Sequence, residues 1–488
     1  MIHSGCGRVA SPALRCCLLL AALAGGPAAY AQAPAEPGAP PARSAPATPP
    51  TPKPLPGDVT THHTLELPGQ PGGPGQPAGR TLHFSATAGA IRLGGDATAP
   101  SASPEPLPNA ETWLDFTDLV FIDPVDTGYS RALTSNDDAR KRMFSVDGDI
   151  AYLAEVIRHW LDRFDRNVSP KYVLGESYGG FRAPRLAREL ASVQDVGVSG
   201  LVLVSPALDL GGRSFGFDPF YFVDRLPSMT AAARAVHGSA GSAVGSSVGS
   251  AAGSPVGSDM TRAQLADVEQ YARTEFLVDA AKGESDPAAI ERRSARVAAL
   301  TGLDPVLVRR YHGWINNSLF LHEMDRAAGR VGSNYDATIT TADPWPLWTV
   351  SDYAEPVLEG LKAPVGSAMV AIYETQLNWR PDYSYRLESP TAGRQWDWGR
   401  NILNAPQSVG MMRTALALDP HLHVLIAHGL FDLVTPYFLT QLLLDQIPQA
   451  GLGERVRLVT YPGGHMFYTR DAARVAFRED GRKLFAGD

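Results

Sequence analysis

Tyr172-Val173-Leu174-Gly175-Glu176-Ser177-Tyr178-Gly179-Gly180 is the stretch that decides the fold. A short apolar run meets a serine between small residues, and a helical pattern then continues toward Leu190. Gly175 to Gly179 fits G-x-S-x-G, placed after a strand and before a helix, as a nucleophile turn requires. A strained turn there lifts the Ser177 hydroxyl above the sheet. The small neighbours let strand and helix approach, and the helix N-terminus favours developing negative charge. An ordinary glycine turn carries the same letters, so the surroundings have to discriminate.

On both sides the chain alternates. Leu119-Val120-Phe121-Ile122 predicts a strand, and Ile150, Leu153, Ile157, Leu161 and Phe164 then mark one face of a helix. Further strands are predicted at Leu201-Val202-Leu203-Val204, Val424-Leu425-Ile426-Ala427 and Val456 to Tyr461. Apolar strands separated by helices predict an α/β fold with a mostly parallel central sheet covered on both faces. The middle third breaks this rhythm. Thr261 and Gln264 form a capping box before Leu265, Val268, Ala272 and Phe276, and Gly283 closes that helix. Asp286-Pro287 starts another helix that Gly302 ends, and Asp304-Pro305 starts a third. We expect a helical cap inserted within the sheet domain.

A serine nucleophile needs a base, and the base needs an orienting acid. In α/β-hydrolases the chain order is Ser, then Asp or Glu, then His. After the strand ending at Ala427 comes His428-Gly429-Leu430-Phe431-Asp432-Leu433-Val434-Thr435-Pro436. After the strand ending at Tyr461 comes Pro462-Gly463-Gly464-His465-Met466. Asp432 and His465, like Ser177, follow strand C-terminal ends, where open α/β sheets place their ligands. Taken singly, Asp432 reads equally as a turn-capping aspartate and His465 as a surface histidine. Together with Ser177 they predict a catalytic triad.

With these segments in hand, the chain resembles the serine carboxypeptidases. GESYGGFRAP (175–184) is similar to that family's nucleophile signature, with Pro184 seven residues after the serine. FIDPVDTGYS (121–130), HGLFDLVTP (428–436) and GGHM (463–466) resemble its other segments, dispersed over about 58–480. The resemblance implies an α/β-hydrolase fold with a helical cap and release of C-terminal amino acids from peptides through an acyl-enzyme. It also implies that Ser177 is the nucleophile, His465 the general base and acid, and Asp432 the orienter. The Tyr178 backbone N–H would be one oxyanion donor. Glu176 would help bind the substrate carboxylate, which requires a raised pKa and a shared proton. From the local sequence alone, Glu176 is equally a structural residue of the turn.

The chain also departs from that family. The resemblance calls for a strand and an Asn-Gly-Gly-Pro-Gly loop before FIDPVDTGYS, supplying the second oxyanion N–H. Here Ile91-Arg92-Leu93 leads through a proline-rich stretch to Trp113-Leu114-Asp115-Phe116. Gly72-Gly73-Pro74-Gly75 has the loop's letters but no apolar strand before it, and Gly94-Gly95 is a second stand-in. Asp126 occupies a position where the family has Gly. One oxyanion donor is worth about 10²–10³ in rate. Two other readings therefore stay open: another serine hydrolase, such as an esterase or acyltransferase, or a catalytically impaired relative.

The 488 residues carry 43 basic and 51 acidic side chains, a net charge of −8. Mild acidity without a basic block argues against nucleic acid as a partner. Arg8 and Arg15 precede the short apolar run from Cys16 to Ala24, and Ala29-Tyr30-Ala31 or Ala31-Gln32-Ala33 fits a cleavage site. We expect a signal peptide over 1–31, no stable membrane anchor after its removal, and the bacterial periplasm as destination. Cys6, Cys16 and Cys17 all lie in that leader, so the mature chain would hold no Cys nucleophile, thiolate site or disulfide. Of the 40 prolines, 18 fall between residues 31 and 110, which places a Pro/Ala-rich linker at 32–57. The expected sheet domain runs over 58–211 and 411–488. The cap covers 212–410, including a flexible 237–258 tract with a Gly every four residues. His62-His63 and His421/His423 are the only close His pairs and the second lacks a third ligand, so no metal is predicted, and without a phosphate-cradling glycine loop or dinucleotide fingerprint before a helix no other cofactor is implied. The tryptophans Trp345, Trp348, Trp379, Trp396 and Trp398 are candidates for a substrate cleft or for core.

Overall fold

Alternation of side chains along Leu201–Val204 and Val424–Ala427 organises the molecule. Leu201, Leu203, Val424 and Ile426 pack into one apolar layer, while Val202, Val204, Leu425 and Ala427 pack into another. A strand sends successive side chains to opposite faces, so these two strands must lie between two layers of covering structure. The computed structural model describes residues 61–67, 80–86, 92–93, 106–107, 109–132, 136–210, 218–238, 257–348, 353, 355–399, 406–448, 451 and 453–487. They belong to one compact unit beginning at Pro52. The expected leader and linker, Gly72-Gly73-Pro74-Gly75, Gly94-Gly95 and most of the 237–258 tract lie outside the described residues.

Near the start, β1 (Thr61–Leu67) pairs antiparallel with β2 (Arg80–Ala86). The main sheet contains β3 (Tyr172–Glu176), β4 (Gly200–Val204), β7 (His423–Gly429) and β8 (Val456–Tyr461), all parallel, in the order β8-β7-β4-β3. Between them in sequence, β5 (Arg330–Gly332) and β6 (Thr340–Ala342) form a separate hairpin. Register aligns the strand ends: Glu176 faces Val204, and Val204 faces Ala427. Residues that follow these strands therefore emerge along one edge of the sheet.

The first layer holds α1 (Val146–Arg163), α2 (Tyr178–Val193) and α8 (Val409–Leu418). Ser145 starts α1, its side chain accepting from the Gly148 N–H at 3.1 Å. Ile150, Leu153 and Leu161 are buried on that helix as the spacing predicts, whereas Phe164, at the cap, is 44% exposed. The second layer is built on α10 (Asp471–Ala486), with Ala473 and Phe477 packed beside Tyr461 and Phe467.

Between β4 and β7 lies a mainly helical segment with its own core. It includes α3 (Leu226–His237), α4 (Pro287–Thr301), α5 (Pro305–Arg310), α6 (Asn317–Glu323) and α7 (Pro356–Thr375). The capping box forms, with the Thr261 N–H donating to Gln264 Oε1 at 2.6 Å. Asp286 caps α4 through the Ala289 N–H at 3.0 Å, and Gly302 ends it at φ +71°. Leu265, Val268, Ala272 and Phe276 share a core with Leu430, Phe431 and Leu433, and with Tyr437 and Phe438 of α9 (Tyr437–Leu444). The helical segment thus supports the loop after β7.

One expected strand is absent. Residues 119–122 form no strand, and Val120, Phe121 and Ile122 are 48%, 54% and 37% exposed. A strand exists only with a partner, and among the described residues β3 has β4 as its single neighbour. Apolar composition alone could not supply the missing ladder.

Candidate active site

Ser177 follows β3 in a conformation that L-residues seldom adopt, at φ 55° and ψ −114°. The strain is held by its surroundings. Its N–H donates to the Val204 carbonyl at 2.9 Å, and its own carbonyl accepts from Gly180 at 3.0 Å and Ala207 at 3.1 Å. The glycines are steric requirements here. A Cβ on Gly175 would stand 2.0 Å from the Gly179 carbonyl oxygen, and one on Gly180 would stand 2.3 Å from Pro206 Cβ. Tyr178 is the first residue of α2, where a backbone N–H has no acceptor within the helix.

Asp432 and His465 are brought together across the turns after β7 and β8. His465 Nδ1 lies 2.8 Å from Asp432 Oδ2. Asp432 is wholly buried and His465 is 2% exposed, so neither is the solvated surface group that each could be singly. Asp432 still caps its turn: Oδ1 accepts from the Val434 N–H at 2.8 Å and the Thr435 N–H at 3.0 Å, leaving Oδ2 for the histidine. Burial alone would raise the Asp432 pKa, but the charge and hydrogen bond of His465, with the Thr435 donors, bring it below the ordinary range. Burial would lower the His465 pKa, but Asp432 and then Glu176 raise it above 6.5.

Ser177, Asp432 and His465 all sit past the same sheet edge, but the Ser177 hydroxyl makes no hydrogen bond to His465 in this structure. Catalytic contacts of this type are commonly long before substrate binds. His428 offers no rival base. It is fully buried, pairs through Nε2 with Thr440 Oγ1 at 2.9 Å, and is pushed down to about 4 by burial.

Glu176 accepts a hydrogen bond from the Tyr468 hydroxyl at 2.7 Å. Desolvation raises its pKa, against opposing effects of His465 and Tyr468. The Tyr178 ring stands edge-on to Trp396 at 5.5 Å and Trp398 at 5.7 Å. Those two tryptophans flank the nucleophile turn. Trp379 instead packs against Tyr129, and Trp345 stacks on Trp348 at the surface.

Three contributors lie outside the residues that the sequence singles out. Ser205 Oγ donates to the His465 carbonyl at 2.7 Å, the His465 N–H donates to the Tyr335 carbonyl at 2.5 Å, and Thr435 Oγ1 lies 2.7 Å from Asp432 Oδ2. Only Thr435 left a local signal, three residues beyond an aspartate in a turn. Ser205 and Tyr335 are 260 and 130 residues from His465. Among the described residues, no group of three or more His, Cys, Asp or Glu is placed to hold a metal ion, and no helix is long and apolar enough to cross a membrane.

Comparison with known proteins points to one class. The family model described as serine carboxypeptidase matches residues 72–211, under a third of the chain. Serine carboxypeptidase-like 8 of Arabidopsis thaliana is 29% identical over 118 residues, covering 23% of this chain. The chain thus spans about a quarter of that relative's length (24%). These matches support a serine carboxypeptidase-like domain of the peptide hydrolase class. The family match contains Ser177 and ends before Asp432 and His465. It begins at Gly72, so Gly72-Gly73-Pro74-Gly75 lies inside it.

Proposed function

We propose that this protein is a serine carboxypeptidase with an α/β-hydrolase fold and a helical cap, releasing C-terminal amino acids from peptides in the bacterial periplasm. The observation that carries the reading is the buried Asp432–His465 hydrogen bond at the sheet edge from which Ser177 also projects. With Nδ1–H given to Asp432, His465 Nε2 is the free base. Ser177 Oγ attacks the scissile carbonyl carbon and passes its proton to Nε2. The tetrahedral oxyanion is met by the Tyr178 N–H. The C–N bond then breaks as His465 returns the proton to the leaving amine, and water releases the acyl group by the same steps. Glu176, an anion in the free enzyme, takes up a proton from solvent as the substrate's terminal carboxylate binds beside it and shares that proton with it, a role that its raised pKa favours.

A fluorophosphonate probe tests the nucleophile. Labelling of the wild-type chain and none of Ser177→Ala is the expected result; an unlabelled wild type at neutral pH would leave a non-catalytic relative. Blocked dipeptides with free or amidated C-termini then test the specificity. Preference for the free carboxylate supports the carboxypeptidase, and equal cleavage favours an esterase-like hydrolase.

A further inference from the structure

We infer that Thr435, held by Ser205, is a positioning residue that fixes the tautomer and orientation of the His465 ring. The inference rests on the triad reading above. His465 Nδ1 faces two oxygens, Asp432 Oδ2 at 2.8 Å and Thr435 Oγ1 at 3.0 Å. The Thr435 hydroxyl has one proton and two neighbouring acceptors, Asp432 Oδ2 at 2.7 Å and the Ser205 carbonyl at 2.9 Å. A carboxylate and a carbonyl can only accept, so that proton is drawn away from the ring and a hydroxyl lone pair is left facing Nδ1. Surrounded by acceptors, Nδ1 carries the hydrogen. Nε2 is then the lone-pair nitrogen, the state a general base needs.

Ser205 makes this arrangement rigid. It follows β4 at φ +41° with no solvent exposure. Its N–H donates to the Ala427 carbonyl at 2.7 Å, its Oγ donates to the His465 carbonyl at 2.7 Å, and its carbonyl accepts from Thr435. One residue in an unfavourable backbone conformation therefore ties the ends of β4 and β7 to the base and to the hydroxyl beside it. Three satisfied hydrogen bonds are the kind of context that sustains such strain.

The test compares Thr435→Val, Thr435→Ser and Ser205→Ala in the full chain. Two quantities are read: the rate of inactivation by a fluorophosphonate, and the histidine side-chain ¹⁵N and N–H resonances. Thr435→Val should slow inactivation about 10- to 100-fold, by analogy with the loss when a partner that orients a metal-bound histidine is removed. The His465 Nδ1–H signal should shift or broaden with it. Thr435→Ser keeps the hydroxyl and should restore both, while Ser205→Ala should give a smaller slowing. Should Thr435→Val fail to fold, Thr435→Ala decides, because it also removes the hydroxyl, whereas Ser205→Ala keeps the carbonyl that Thr435 donates to. Wild-type rate and an unchanged Nδ1–H signal in the folded variant, or a Thr435→Ser as slow as Thr435→Val, would overturn the inference. Failure of the triad reading shows separately, as a wild type that is unlabelled or a Ser177→Ala that is labelled; the tautomer readout still stands in that case.

Discussion

Asp126 sits at φ +71°, and its carboxylate pairs with the Arg386 guanidinium and the Ser389 hydroxyl. The loop that carries it is further joined to the helical segment by reciprocal backbone bonds between Gly128 and Arg386, at 2.7 and 2.9 Å. A glycine would adopt this backbone freely but could not make the side-chain contacts. Aspartate accepts the strain and anchors two parts of the chain 260 residues apart. Asp126→Ala should keep the strain and lose the pair, costing about 2 kcal/mol. Asp126→Gly should cost less, because relief of the positive φ returns about 1 kcal/mol. Urea unfolding at neutral pH measures both, and an alanine variant more stable than the glycine variant would reject this account.

The pH dependence of acylation follows from His465. Only its neutral form can take the Ser177 proton, and its pKa is raised by Asp432 and Glu176. The rate should therefore climb with pH through a value above 6.5, the ordinary histidine value. Glu176→Gln removes an anion that holds the imidazolium, so the rising limb should move to lower pH. Steady-state profiles of kcat/KM, wild type against variant, check the sign; a limb moving upward would contradict it.

Gly175 probes the turn itself. A methyl group there meets the Gly179 carbonyl oxygen at 2.0 Å, so Gly175→Ala must displace the start of α2 and with it Ser177 and the Tyr178 N–H. We expect fluorophosphonate labelling to fall by at least about 10²-fold, the scale of losing one oxyanion donor. Circular dichroism should show that the helices persist.

The flank of β3 has a different consequence. Leu174 is 53% exposed, and Val120, Phe121 and Ile122 are exposed as well. Leu174 lies on an edge strand of the described sheet, and exposed apolar segments promote self-association. Phe121→Lys should raise the concentration at which the protein stays monodisperse in light scattering, with a melting temperature within a few degrees of wild type.

Several parts of this protein were legible in the sequence because their causes are local. Unbroken apolar runs at 201–204 and 424–427, separated by helices, required a sheet covered on both faces, and Asp286-Pro287 with Gly302 marked the two ends of α4. The glycines around Ser177 are needed by a turn that closes within five residues, so the turn could be read in one line of sequence. The strand at 119–122 was misread for the complementary reason: a strand depends on a neighbour, and its own residues do not disclose whether one is present. The same holds for the site. Sequence placed Asp432 and His465 after strands in the order expected of a triad, but only folding put Nδ1 against Oδ2, buried both, and raised one pKa while lowering the other. Thr435, Ser205 and Tyr335 joined them through contacts spanning 30 to 260 residues, which no local pattern encodes. Turn chemistry is short-range and readable from residue type, whereas proton placement and burial depend on the distant groups that tertiary structure brings into contact.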